Sequence, residues 1–303
     1  MLLDQRDSML LMGILNRTPD SFSDGGAFMD NATAMARVEA MVAEGAAIID
    51  VGAESTRPGA PKVSAEEQIQ RIGGVVRGAA AKGVLVSIDT NSPAVAARAL
   101  EDGARIINAT SLEPAAELGA IAARHGAALV LMHCRGAMTE MPGFSVYADD
   151  AYGDVVADVA REWLAAAERA MARGLPRESL VLDPGLGFAK NARHSLELCA
   201  RLGELCSLGF PVLVGPSRKS FVARAGARGG ALPPPEARLG GTIAVTLLCA
   251  ERGAAIARVH DVAQVSQALA VADALRGAAP RPSISSSSPS SSAPGAREQV
   301  SHA

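Results

Sequence analysis

Aromatic residues make up only 3% of this 303-residue chain, with a single Trp and two Tyr. Its core must therefore be built from Ala, Val, Leu and Ile, which the 49% hydrophobic content supplies amply. Cysteine is equally sparse. The four present, Cys134, Cys199, Cys206 and Cys249, are too few for a disulfide framework and show no zinc-type C-x-x-C spacing. Reduced thiols, and hence the cytoplasm, are the expectation. Neither sign of charge dominates, the net being −3, which gives no support to a nucleic-acid partner held by general electrostatics. Long apolar runs are missing too. The start, MLLDQRDSML, puts charges where a signal peptide needs an apolar stretch, and no later run is long enough to span a bilayer.

What is present is a repeating alternation. Short β-rich apolar runs lie at 9–15, 47–52, 84–90, 105–109, 128–133, 180–185, 211–216 and 255–260. Ala-rich segments with helical periodicity separate them, at 31–44, 64–81, 92–102, 114–124, 149–173, 191–207, 235–251 and 261–276. Continuously apolar strands between helices indicate a parallel sheet buried on both faces. Eight such units predict an α/β fold of the (β/α)8 TIM-barrel type in one domain, residues 1–276. An open doubly wound sheet is the alternative left by strand counting alone. Residues 277–303, a Ser/Pro-rich tail, lack the apolar content to fold and are expected to be disordered.

Polar residues gather where these strands end: Asn16, Asp50, Asp89, Asn108, His133, Asp183 and His260. In a barrel all such ends share one face, which carries the active site. Any one of them has an ordinary explanation as a helix cap or a turn residue; seven at equivalent positions point to a site. Asp89, Asn108 and Asp183 offer carboxylate and amide groups suited to a flat heterocycle with N–H donors beside a carbonyl. Lys219, in GPSRKSF, brings a cation to the same mouth, unless it and Arg218 form a solvated loop pair. Arg258 and His260 are two apart and share one side of the last strand. A partly buried Arg258 requires an anion, either a phosphate group or a carboxylate such as Asp50 or Asp89. Two loops, TPDSFSDGG (18–26) and ESTRPGA (54–60), combine hydroxyls, charge, Pro and Gly, as lids or surface turns do. The GxG of DPGLGFAK lacks the third glycine of a dinucleotide fingerprint, there is no Walker lysine motif, and no nucleophile elbow is present.

Together these segments resemble the dihydropteroate synthase family. GILNRTPDSFSDGG, DVGAESTRPGA, SIDT, IIN, LMH, DPGLGFAK, SRKSF and RVHDV follow in that family's order, from about residue 9 to 276. The resemblance implies condensation of 6-hydroxymethyl-7,8-dihydropterin pyrophosphate with p-aminobenzoate, giving 7,8-dihydropteroate and pyrophosphate. It implies that Asp89, Asn108, Asp183 and Lys219 hold the pterin. Asn16, Arg258 and His260 are implied to hold the pyrophosphate, with Mg2+ coordinated through Asn16. Thr56, Arg57, Pro58, Phe188 and Ser220 would shape the p-aminobenzoate pocket, with Asp24 helping from the first loop. A homodimer and competition by sulfonamides are also implied. The chain departs from the pattern at Arg17, usually apolar, at Ala53 and Ala189, often glycine, at Ala109, commonly Asp, and at Gly240, commonly Ser. A pterin-dependent methyltransferase domain and a non-catalytic pterin-binding paralogue are the rival readings. The STRPG and SRKSF segments argue against the first.

Overall fold

The structure is a computed structural model and describes residues 8–17, 31–54, 62–136, 143–227, 229 and 231–278. Asp24, Thr56, Arg57 and Pro58, with most of both polar loops and the tail from residue 279, lie outside the described residues.

Eight parallel strands form one sheet in the order β6-β5-β4-β3-β2-β1-β8-β7. They are β1 (Leu10–Asn16), β2 (Ile48–Gly52), β3 (Leu85–Asp89), β4 (Ile106–Ala109), β5 (Ala128–Met132), β6 (Leu180–Asp183), β7 (Leu213–Val214) and β8 (Ile256–Val259). A lone parallel bridge between Leu182 and Val212 joins the two outermost strands, and Leu182 N–H donates to Pro211 O at 2.9 Å. That contact closes the sheet into a barrel, so the open-sheet alternative falls away.

The helices that follow the strands are α1 (Asn31–Ala43), α2 (Ala65–Ala81), α3 (Pro93–Glu101), α4 (Ala115–His125), α5 (Val155–Met171), α6 (Ala192–Ala200), α7 (Leu202–Cys206), α8 (Ser220–Gly226), α9 (Leu239–Glu251) and α10 (Val262–Ala278). Local chemistry sets their starts. Ser64 accepts from Glu67 N–H ahead of α2, and Ser92 precedes a proline at the first turn of α3. Asp154 caps α5 through the N–H groups of Val156 and Ala157, and Asn191 and His194 form a capping box on α6. The last helix runs two residues past the expected boundary at 276, through Gly277 to Ala278. Among the described residues no helix is long and apolar enough to cross a membrane.

Alternation along the strands builds the interior in layers. Met12, Ile48, Ile106, Ala128, Val130, Val181, Leu213 and Ile256 fill the barrel as one apolar cluster, with Leu85 packed against it. Continuing in steps of two toward the strand C-termini, the same inward faces present Asn16, Asp50, Asp89, Asn108, Asp183 and Arg258. A second apolar core, between strands and helices, is almost wholly aliphatic apart from Trp163, Phe210, Phe221 and Tyr152. The polar layer thus lies above an apolar barrel interior.

Candidate active site

One row of residues runs across the mouth in register: Asn16 beside Gly52, Gly52 beside Asp89, Asp89 beside Asn108. Asn16 is exposed, at the end of β1. Gly52 keeps the row open, for a Cβ there would touch both Asn16 Oδ1 and the Asp89 side chain at 3.5 Å.

Arg258 organises the layer beneath. Its Nε donates to Asp50 Oδ2 at 2.6 Å and its Nη2 to Asp89 Oδ2 at 2.7 Å, while Asn108 Nδ2 also donates to Asp50 Oδ2, at 3.0 Å. Of the two anions that the sequence left open for Arg258, the described contacts are with carboxylates, and with both of them. A guanidinium has five N–H donors, so three remain uncommitted to any described residue. Asp50 is wholly buried and has no solvent contact; it joins Arg258 and Asn108, as a carboxylate partner that the sequence offered for Arg258. Burial pushes the Asp89 carboxyl up to about 7, against the Arg258 charge and with the neighbouring Asp50 charge adding to the rise.

Asp183 ends β6. Its Oδ1 accepts from Gly185 N–H at 2.7 Å, and its other oxygen takes no hydrogen bond from the described residues. Burial raises its pKa, while Lys219 and the Gly185 N–H favour the charged form. Lys219 is no solvated loop residue. Its Nζ donates to Leu186 O at 2.6 Å and sits 4.3 Å from the centre of the Phe188 ring, and burial lowers its pKa to about 8. Two of its three N–H groups stay uncommitted among the described residues.

Arg218 is likewise paired, forking onto Asp261 through Nε and Nη2. Its φ of +59° is held by Thr242, which accepts from its N–H at 3.1 Å, and by Arg238, which donates to its carbonyl at 2.7 Å. This locked left-handed residue launches α8, placing Lys219 and Ser220 at the mouth. Ser220 Oγ donates to Ser145 Oγ at 2.9 Å.

Ser217 Oγ accepts from His260 N–H at 3.2 Å and lies 3.0 Å from His260 Nδ1. When the hydroxyl donates to Nδ1, the ring proton sits on Nε2 and is available to a ligand. Burial, aided by the Arg258 and Arg218 charges, lowers the ring to about 4, so it is neutral. Phe188 is 8% exposed and packs edge-on against Phe144, with ring centres 5.3 Å apart. Arg17, the cation at a usually apolar position, is buried and bonds to the first residue of α1, donating to Asn31 Oδ1 at 2.7 Å. His133, the remaining strand-end residue, faces a buried lysine, Lys190, and not the mouth row.

The described candidates Asn16, Asp89, Asn108, Asp183, Phe188, Lys219, Ser220, Arg258 and His260 thus lie at one end of the barrel: carboxylates with spare acceptor capacity beside cations and a neutral imidazole with spare donors. Such a rim can grip a planar ring by its N–H edge and an anionic group by its oxygens.

Comparison with known proteins agrees. The family described as "Pterin binding enzyme" matches residues 12–260. Dihydropteroate synthase of Mycobacterium leprae (strain TN) is 46% identical over 276 residues, covering 89% of this chain and 95% of that one. The structure of the Xanthomonas albilineans dihydropteroate synthase with 4-aminobenzoic acid is similar at a TM-score of 0.79 and 38% identity, over 90% of this chain and 95% of that one. The Yersinia pestis dihydropteroate synthase in a sulfonamide drug complex is similar to the same degree, with TM-score 0.79, 38% identity and coverage of 90% and 95%. The chain belongs to the pterin-binding enzyme family, among its dihydropteroate synthases.

Proposed function

We propose that this barrel mouth joins 6-hydroxymethyl-7,8-dihydropterin pyrophosphate to p-aminobenzoate, forming 7,8-dihydropteroate and releasing pyrophosphate. One observation carries the assignment of roles. Asp183's uncommitted oxygen and Arg258's three uncommitted N–H groups belong to the same rim, so one substrate can meet both.

The pterin N–H edge meets Asp183, with Asp89 and Asn108 on the opposite strands of the row and Lys219 beside it. Its pyrophosphate lies toward Arg258 and the Nε2–H of His260. As the C–O bond breaks, negative charge builds on the departing pyrophosphate, where the Arg258 guanidinium and the neutral His260 donor stabilise it. The cation left on the pterin methylene is delocalised into a ring that Asp183 holds. The aniline nitrogen then attacks, and its proton passes to solvent or to the departing pyrophosphate. No nucleophile or strong base of the chain is required. Phe188 and Ser220 shape the aminobenzoate pocket with Thr56, Arg57, Pro58 and Asp24.

Mg2+ fits the donors present. Among the described residues no group of three or more His, Cys, Asp or Glu can hold a metal, and Asn16 offers a single hard oxygen at the exposed end of β1. That set suits an ion bound mainly by phosphate oxygens and water. Asn16 would hold it, and when bound it would neutralise charge on the leaving pyrophosphate. We also take the working form to be a cytoplasmic homodimer, which light scattering and cell fractionation test.

The deciding experiment is pyrophosphate release with both substrates and Mg2+. Release coupled to dihydropteroate formation is expected. Pterin binding without turnover at saturating substrate would make the chain a binding paralogue, and methyl transfer from a methylated pterin with no pyrophosphate release would make it a methyltransferase domain.

A further inference from the structure

The turn after β6, PGLGFAK (184–190), is conformationally costly. Gly185, Gly187 and Ala189 have φ of +67°, +81° and +49°. Two are glycines, for which this region costs nothing special, but Ala189 carries a Cβ and disfavours it. Ala189 is also 1% exposed, so nothing in the solvent compensates. Such a conformation persists only where the surroundings over-determine it.

Two buried side chains bracket it. Tyr152 donates its hydroxyl to Ala189 O at 2.9 Å. Lys190, with no solvent exposure, donates to Phe188 O at 3.0 Å, to His133 O at 3.2 Å and to His133 Nδ1 at 2.9 Å. Three acceptors match the three N–H groups of an ammonium. The acceptor at Nδ1 puts the ring proton of His133 on Nε2, where Glu162 takes it at 2.9 Å. Glu162 in turn is gripped by Arg135, whose guanidinium lies 3.9 Å over the Tyr152 ring. The network thus begins on α5, passes through the end of β5 and ends on the two carbonyls that flank the strained residue. None of these side chains belongs to the mouth row, and burying a lysine that no carboxylate of the described residues contacts directly is expensive unless its hydrogen bonds matter.

We propose that Lys190 and Tyr152 are positioning residues for Phe188: they clamp the left-handed turn at Ala189 from both sides and so hold the Phe188 ring against Lys219 in the aminobenzoate pocket. The proposal rests on the reading of that pocket above. It predicts a specific kinetic signature, because Phe188 meets the second substrate whereas Asp183, at the root of the turn, is fixed separately by Gly185 N–H.

In the full-length protein, Lys190→Met should raise KM for p-aminobenzoate tenfold or more, with kcat and the KM for the pterin pyrophosphate changed less than threefold. Tyr152→Phe should give the same pattern at about threefold. Ala189→Gly, which removes the strain, should return the Lys190→Met enzyme at least halfway on a logarithmic scale. A folded Lys190→Met enzyme with unchanged KM for p-aminobenzoate overturns the proposal. So does an equal loss in all three parameters that Ala189→Gly does not relieve, since that describes a merely structural lysine. If Lys190→Met yields no folded protein, Tyr152→Phe decides, and an unaltered KM there overturns the clamp. Wild-type turnover, measured alongside, separates a failure of this inference from a failure of the functional reading.

Discussion

Asp89 and Arg258 stand at the ends of β3 and β8, 169 residues apart in sequence, with Oδ2 and Nη2 2.7 Å from each other. Asp50 completes the arrangement from below, 2.6 Å from Arg258 Nε. The guanidinium therefore has two duties: it offsets two nearly enclosed carboxylates, 0% and 9% exposed, and it presents its remaining donors to the leaving group. Arg258→Ala abolishes both. Leaving buried carboxylates unpaired costs about 3–5 kcal/mol, so a lowered melting temperature is expected along with slower pyrophosphate departure. Arg258→Lys keeps the charge and loses the fork. It should fold nearly as well as wild type, yet release pyrophosphate at least tenfold more slowly while binding the pterin alcohol normally. An equal loss in pterin-alcohol binding would place Arg258 elsewhere.

Asp89 gives a pH signature. Its folded-state pKa, raised by burial to about 7 from 3.8, means that the native state binds a proton that the unfolded state has released between these values. Stability from this group is therefore greatest below about pH 4 and falls as pH rises toward 7. A pterin N–H favours the carboxylate form, so pterin binding near pH 6 should expel a proton. Calorimetry in buffers of differing ionisation enthalpy should record that release in the wild type, and Asp89→Asn should abolish it. Proton uptake, or no difference between the two proteins, would mean that the pterin does not meet Asp89.

Asp183 has one oxygen committed to Gly185 N–H and one left over. Asp183→Ala should weaken pterin binding tenfold or more, the scale of a lost charge-assisted hydrogen bond of about 1.5–3 kcal/mol. Asp183→Asn, which retains an acceptor for Gly185, should leave the melting temperature close to wild type and still weaken binding. Titration with a fluorescent pterin measures both, and wild-type affinity in either variant removes Asp183 from the pocket.

The strands were readable because each is a continuous apolar run ending in a polar residue. Every observed strand lies within two residues of its expected bounds. β7 shrinks to Leu213–Val214, because only a single bridge at Val212 ties it to β6. Among the helices, 191–207 divides at Arg201, and α8 was missed because SRKSFVARAG looks like loop until the left-handed turn at Arg218 starts a helix there. The rim was legible for a geometric reason: parallel strands in a barrel bring every C-terminal end to one face. What stayed hidden is lateral. That Arg258 takes both Asp50 and Asp89, or that Lys190 finds His133, depends on the register between strands far apart in sequence, and no local pattern encodes it. Ala189 was noticed as a missing glycine, a hint that the turn is strained, but only the surrounding donors show how the strain is held.

Two glycines with nearly the same φ should respond very differently to one added methyl group. Gly126 ends α4 at φ +61°, and a Cβ there meets nothing within 4 Å. Gly185 has φ +67°, but a Cβ would lie 2.0 Å from His133 O, a backbone atom fixed by the β5 end and by Lys190. Gly126→Ala therefore incurs only the left-handed cost, about 1 kcal/mol, or roughly 2–4 °C in melting temperature. Gly185→Ala adds an overlap that no rotamer relieves, and the turn must leave the β5 end to accommodate it. It also moves the N–H that orients Asp183. Loss of pterin binding together with a drop of melting temperature several times larger than for Gly126→Ala, or no soluble protein at all, is expected. Calorimetry and pterin titration of the two variants side by side check this, and equal small shifts with pterin binding intact would show that the β6 turn does not hold the site.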